Sequence, residues 1–206
     1  MRHATGIVPV KALAEGKSRL AGCLDPSQRE RLCRWMVSRT LQRLSMLSDI
    51  IVVSDDPAVE PLLSSASNAR FKRAQQPANL NAALSQARRM ATADAPLLIV
   101  PIDLVLLEAE DLECVLSETQ GVSIVPDHAG TGTNLLCLAP AAAPEFVFAF
   151  GTGSFDRHSA EASRLGFEAQ VFPSERLGLD VDTSTDLQRA GLVALGAGDL
   201  LTLPKH

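Results

Sequence analysis

No apolar run in this chain approaches the ~20 residues that a membrane-spanning helix needs. The N-terminus carries one Arg, one His and a short apolar stretch, without the long apolar core of a secretory signal. The chain is therefore read as cytoplasmic. Basic residues are not in excess: the net charge is −5 over 206 residues, which speaks against a nucleic-acid-binding footprint. Cysteine is sparse. Cys23, Cys33, Cys114 and Cys137 are scattered without CxxC spacing, so neither a zinc site nor a disulfide framework is expected. The phosphate-binding fingerprints GxGxxG and Gly-Lys-Ser/Thr are missing. So is the Gly-x-Ser-x-Gly elbow of a serine hydrolase. There is no internal repeat, low-complexity segment or linker.

What is present is an alternation of strand and helix signals. The length and the 46% hydrophobic content suit one domain with a full core. We take residues 1–206 as that domain, with a Gly-rich tail after about 195 expected to fray. Strands are expected at Ile7 to Lys11, Ile50 to Ser54, Leu97 to Pro101, Val122 to Val125, Asn134 to Leu138, Ala169 to Phe172 and Leu177 to Val181. Helices are expected after Asp25-Pro26, where Asp25 is N-cap and Gln28 completes a capping box. Further ones follow Asp55-Asp56-Pro57, run from about Asn79 to Ala91, begin near Glu108, and span Ser154 to Arg164 with Gly166 closing the last turn. A final helix is capped by Thr183 or Ser184. Continuous apolar strands between helices predict an α/β fold, a mostly parallel sheet covered on both faces. The close pair 122–125 and 134–138 predicts a local antiparallel excursion.

Candidate chemistry clusters at strand ends. Lys11, Lys17 and Arg19 follow the first strand, at the edge where open α/β sheets bind ligands. Three cations there suit a phosphate-rich ligand, although a solvated loop is the plain alternative. Asp103 follows the strand at 97–101, either at the ligand edge or as a cap. Asp180 and Asp182 flank Val181 and face one side if that segment is a strand. Paired carboxylates of this kind suit Mg²⁺ with substrate phosphates; otherwise Asp182 caps the last helix and Asp180 is solvated. Two glycine-rich turns, Gly130-Thr131-Gly132-Thr133-Asn134 and Gly151-Thr152-Gly153-Ser154-Phe155, can hold anions through free amides and hydroxyls. A hairpin turn and an ordinary N-cap at Ser154 are the alternatives. His128 and His158 are read as surface or supporting residues. No general base stands out. The set fits Mg²⁺-assisted displacement at a nucleotide phosphorus.

Val8-Pro9-Val10-Lys11 with Lys17-Ser18-Arg19-Leu20, Leu80-Asn81-Ala82-Ala83-Leu84, Pro101-Ile102-Asp103-Leu104, Gly130 to Asn134, Gly153-Ser154-Phe155 and Leu179 to Thr183 occur in that order. Over residues 7 to 190 the chain resembles the 2-phospholactate guanylyltransferase family of coenzyme F-420 biosynthesis. That family lies within the nucleotidyltransferase A superfamily, which also holds the molybdenum-cofactor enzymes. The resemblance implies a Rossmann-like nucleotidyltransferase fold. It also implies transfer of GMP from GTP to a small phosphorylated carboxylic acid, with release of diphosphate. It implies that Lys11, Lys17 and Arg19 neutralise the triphosphate, and that Leu80 and Asn81 help hold the guanosine. Asp103, Asp180 and Asp182 would hold Mg²⁺, and Thr133, Gly151 and Ser154 the acceptor acid. The nucleophile would be a substrate phosphate oxygen.

The family pattern Pro-Ala-Asp-Leu-Pro is altered by Ile102 and Val105, and Asn79 stands where a glycine is usual. These departures spare the carboxylates and fall on the pockets. They tilt the acceptor toward 3-phosphoglycerate over 2-phospholactate or phosphoenolpyruvate. One rival is a nucleotidyltransferase for a molybdopterin-like or sugar-phosphate acceptor, which would show a Gly-rich first loop. Another is a non-catalytic nucleotide-binding module, which would lack a metal carboxylate. The sequence does not give the oligomeric state, and a homodimer is one candidate, since dimers are common among small enzymes.

Overall fold

The computed structural model describes residues 1–75 and 79–191. The expectation of a frayed tail after about 195 lies outside the described residues. Seven strands form one sheet: β1 (Arg2–Pro9), β2 (Leu47–Ser54), β3 (Ala69–Arg73), β4 (Leu97–Ile99), β5 (Val122–Pro126), β6 (Thr133–Leu138) and β7 (Ala169–Val171). Their spatial order is β3-β2-β1-β4-β6-β5-β7. All neighbours pair in parallel except β6, which runs antiparallel to both β4 and β5. The antiparallel excursion is therefore a hairpin strand inserted between two parallel ones.

Side-chain alternation explains why both faces are covered. Val8 on β1 and Ile50 and Val52 on β2 point into one core, with Val37, Leu41 and Leu44 of α1 (Pro26–Leu44) and Leu112 and Val115 of α3 (Ala109–Glu118). Ile7, Ile51 and Val53 point the other way, against Ala83, Leu84 and Ala87 of α2 (Leu80–Arg88) and Ala162 of α4 (Ser154–Arg164). Each fully buried aliphatic side chain of this kind is worth about 1.5–3 kcal/mol relative to exposure. No β2 residue from Ile50 to Ser54 is exposed, which is why that strand reads as an unbroken apolar run.

The helix ends follow their sequence signals. Asp25 and Gln28 form the reciprocal capping box, with Pro26 opening α1. Gly166 sits at φ +83°, and Phe167 N–H donates to Ala162 O at 2.9 Å, closing α4 in the left-handed turn that glycine permits. Thr183 caps the short α5 (Ser184–Arg189).

Three expectations are corrected. Residues 177–181 are not a strand. The segment crosses under the hairpin loop, its apolar Leu177 and Val181 bury against core side chains, and its backbone bonds to loops instead of a ladder. A strand, β3, lies where none was expected: its two arginines and one lysine interrupt the apolar pattern, as an edge strand with one neighbour allows. The segment Pro57–Ser65 is a 3-10 helix, with Asp56 as its cap and Pro61 inside it. Among the described residues no helix is long and apolar enough to cross a membrane.

Candidate functional site

Strand order reverses between β1 and β4, and the crevice beyond their C-terminal ends is where open α/β sheets receive ligands. Four pieces of chain meet there: the loop after β1, the loop after β4, the start of β6 and residues 177–182.

The loop after β1 carries the three cations, and they separate sharply. Lys11 is exposed, and Arg19 is 74% exposed at its side chain. The Lys17 side chain is only 8% exposed. Its backbone has φ +54°, unlike every other non-glycine residue among those described. Gly16, just before it, lies so close to α1 that an added Cβ would stand 2.5 Å from Cys33 Sγ. The turn is thus clamped against α1 and directs Lys17 inward.

Lys17 Nζ donates to Asp103 Oδ2 at 2.8 Å and to Asp182 Oδ1 at 2.9 Å. Burial works against its charge. The two carboxylates outweigh that cost and hold its pKa above the ordinary lysine value. Arg19 reaches Asp182 Oδ2 at 3.2 Å from the solvent side. Lys17, expected to neutralise a triphosphate, therefore rests on the carboxylates in this structure.

The carboxylates are held by backbone. Val181 N–H donates to Asp103 O at 3.1 Å, and His128 N–H donates to Gly178 O at 2.9 Å. Asn134 Nδ2 donates to Leu177 O at 2.8 Å. The alternatives left open by sequence close here. Thr183, not Asp182, caps α5, and Asp186 takes the N–H groups of both Asp182 and Thr183. Glu108, not Asp103, caps α3. Both aspartates are thereby free to face the crevice.

One oxygen from each of Asp103, Asp180 and Asp182 lies within 4.8 Å of the others. Burial first, and then the neighbouring charges of Asp103 and Asp182, push the Asp180 carboxyl above the usual carboxylate range. Asn134 Nδ2 donates to Asp180 Oδ1 at 3.5 Å. The buried Lys17 ammonium thus bridges two of the three carboxylates, Asp103 and Asp182. Hard oxygen donors at this spacing, with Asp180 half-buried beside two other carboxylates, fit a hard divalent ion such as Mg²⁺.

The second cluster lies one strand away, at the start of β6. Because β6 is antiparallel, its first residues reach the same edge as the end of β4. Thr133 N–H donates to Ser154 Oγ at 2.8 Å, and Thr133 Oγ1 lies 2.9 Å from His158 Nδ1. Ser154 is the first residue of α4, with Gly153 as N-cap at φ +69° and Gly151 at φ +115°. Ala149 N–H donates to His158 Nε2 at 3.0 Å. His158 is wholly buried, not a surface residue, and burial pulls its pKa down to about 4.

Two groups expected to hold ligand, an anion at the first glycine turn and the guanosine at Asn81, are already occupied. Asp127 accepts the Thr131 amide at 2.8 Å and would be struck by a Cβ at Gly132, so the first glycine turn is a self-bonded hairpin loop. Asn81 exchanges two hydrogen bonds with the Phe150 backbone, at 2.8 and 3.2 Å, which ties α2 to the Gly151 turn. Leu80 beside it is 40% exposed. Of the two readings of His158, surface or supporting, its contacts fit the supporting one. Its signal was the spacing Ser154, His158, Ala162, one buried face of α4 at intervals of four.

A model of the family described as "Guanylyl transferase CofC like" matches residues 4–198. A phosphoenolpyruvate guanylyltransferase of Roseiflexus castenholzii is 40% identical over 183 residues, covering 88% of this chain and 84% of that protein. One from Rubrobacter xylanophilus is 39% identical over 192 residues, covering 89% and 91%. Among solved structures, a nucleotidyl transferase from Methanothermobacter superposes with a TM-score of 0.69 at 16% identity, covering 96% of this chain and all of that one. That likeness speaks to the fold alone.

Proposed function

The chain belongs to the CofC-like guanylyl transferase family, and on that premise we propose that it transfers GMP from GTP to the phosphate of phosphoenolpyruvate, releasing diphosphate. That it is a guanylyl-transferring enzyme of the nucleotidyltransferase fold follows from the family and the relatives. The acceptor is the further step. The departures at Ile102, Val105 and Asn79 favour 3-phosphoglycerate. The names of the relatives at 40% and 39% identity favour phosphoenolpyruvate, and direct relatives outweigh three pocket substitutions. By family resemblance the product would enter coenzyme F-420 biosynthesis.

A phosphate oxygen of the acceptor, ionised at neutral pH, attacks the α-phosphorus of GTP. The bond from that phosphorus to the bridging oxygen breaks, and diphosphate leaves with the electron pair. No protein base is required, in keeping with a crevice whose one buried imidazole is engaged on both nitrogens. Lys11 and Arg19, exposed beyond β1, would meet the triphosphate. Asp103, Asp180 and Asp182 would hold Mg²⁺, which when bound supplies charge neutralisation at the phosphates. Lys17 fixes Asp103 and Asp182 in place before substrate arrives. Thr133 and Ser154 offer hydroxyls, and the Gly151 turn close backbone approach, to the acceptor's phosphate and carboxylate.

The observation that carries this reading is the meeting of two unlike clusters on one sheet edge. A carboxylate trio with basic residues lies at the C-terminal end of β1 and β4, and a buried hydroxyl pair lies at the start of the adjacent strand β6. The test is diphosphate release from GTP and Mg²⁺ with phosphoenolpyruvate, 3-phosphoglycerate or 2-phospholactate in turn, with ATP and CTP as controls. Release with GTP and phosphoenolpyruvate is expected. Release only with another of the acids would replace the acceptor, and silence with all three would overturn the reaction.

A further inference from the structure

Thr133 and Ser154 both have their hydroxyl oxygens engaged inside the fold, and the direction of those hydrogen bonds matters. Ser154 Oγ accepts from the Thr133 amide, which leaves the serine proton uncommitted by that bond. For Thr133 the direction is set by His158. The Ala149 amide donates to Nε2 at 3.0 Å, so Nε2 carries no proton. A neutral imidazole then bears its proton on Nδ1. That proton points at Thr133 Oγ1, 2.9 Å away. The threonine hydroxyl therefore accepts from the histidine, and its own hydrogen is turned elsewhere. The opposite tautomer would consume that hydrogen. Rings of Phe146 and Phe150 flank the imidazole at 5.6 and 4.7 Å between centroids and hold its plane.

We propose that His158 is a positioning residue that keeps the Thr133 hydroxyl as a hydrogen-bond donor to the acceptor acid. The acceptor offers only phosphate and carboxylate oxygens, so a site built to bind it needs donors. Hydroxyls donate or accept with equal ease in water. Fixing the tautomer of a buried neighbour removes that freedom before the ligand arrives. His158 does this for Thr133, and through Ala149 it also anchors the chain leading into the Gly151 turn. Ser154, one turn earlier on the same face of α4, completes the pair of donors. The inference rests on the reading that Thr133 and Ser154 hold the acceptor.

Two measurements on the full chain test it. In the first, the imidazole nitrogen shifts of His158 are recorded by NMR on the unmodified protein at pH 7. A neutral ring protonated at Nδ1 is expected, and protonation at Nε2 overturns the proposal whatever any variant does.

The second is steady-state kinetics on Thr133→Val, His158→Asn and His158→Gln, with melting curves to confirm folding. Asparagine places a donor near the Nδ1 position. Glutamine places its amide near Nε2, keeps a partner for Ala149 and leaves Thr133 alone. His158→Gln should raise the KM for phosphoenolpyruvate about tenfold or more, as loss of a hydrogen bond to a charged ligand does, while His158→Asn stays within about threefold. The KM for GTP should move by less than about twofold in both.

Equal effects of the two variants on the acceptor, or equal effects of His158→Gln on GTP and acceptor, overturn the proposal. An unchanged acceptor KM in Thr133→Val sinks the acceptor-site reading instead. A raised KM in Thr133→Val beside an unchanged one in His158→Gln sinks the role of His158 alone.

Discussion

Replacing Lys17 by alanine and, separately, by glycine divides two effects that the wild-type residue combines. Both substitutions remove the ammonium from Asp103 and Asp182, which it meets at 2.8 and 2.9 Å. Breaking a buried ion pair by deleting one partner costs about 3–5 kcal/mol. The carboxylates are 24% and 36% exposed, so water relieves part of the loss and brings the expected figure to about 2–3 kcal/mol. The two variants differ in backbone. At φ +54° an alanine retains the left-handed strain of roughly 1–2 kcal/mol, and a glycine does not. Glycine's greater freedom in the unfolded chain gives back up to about 1 kcal/mol of that gain. Lys17→Gly should therefore be the more stable of the two by a few tenths to about 1 kcal/mol, the reverse of the order at an ordinary site. Urea unfolding in metal-free buffer, followed by circular dichroism, reads both differences from the midpoints. If alanine equals or exceeds glycine, the strained turn is not maintained by the fold. If neither variant loses stability, the ion pairs contribute nothing net and the site is not held by Lys17.

Two further outcomes follow from the buried titratable groups. The folded pKa of His158 is lowered to about 4 by burial, below the ordinary value of about 6.5, so between those values only the unfolded chain takes up this proton. Stability should fall by about 3 kcal/mol as the pH drops from 6.5 to 4, and His158→Asn should flatten that slope; an unchanged slope in urea titrations at pH 7, 5.5 and 4.5 would refute the assignment. Asp180 is the opposite case: its folded pKa is raised, so whatever it contributes is present in acid and lost as pH rises. Asp180→Asn should be more stable than wild type at pH 7 without metal, with the gain narrowing toward pH 4 and turnover abolished. A lower melting temperature at pH 7 would contradict the crowding of charge at that carboxylate.

Local signals were the legible part of the sequence. Asp25-Pro26 with Gln28, Thr183 before its helix, and Gly166 after α4 each encode an end in chemistry that operates within a few residues. The carboxylates were legible as a class, because costly charges followed apolar strands. Long-range context decided the rest. Leu177, Leu179 and Val181 carry strand periodicity, yet Leu177 and Val181 pack into core clusters while their backbone bonds to loops and not to a neighbouring strand. Ala69–Arg73 carries charge like a loop, yet β2 supplies it a partner. Nothing local marks Lys17 as left-handed; that conformation is imposed by Gly16 against Cys33 and by two aspartates from distant segments. Nor does any local pattern show that the Asn81 amide is spent on the backbone of Phe150.

The bond from Lys17 to Asp182 joins residues 165 apart in the chain. A contact of such span repays its loop-closure entropy only after the intervening strands have paired, so it forms late in folding. An enzyme still emerging from the ribosome can have β1 to β6 in place and yet have no assembled crevice, because the segment bearing Asp180 and Asp182 has not arrived. Competence would then appear in one step, once that segment has been made. Interactions made that late are absent from the folding transition state, so strengthening them should slow unfolding and leave the folding rate almost untouched.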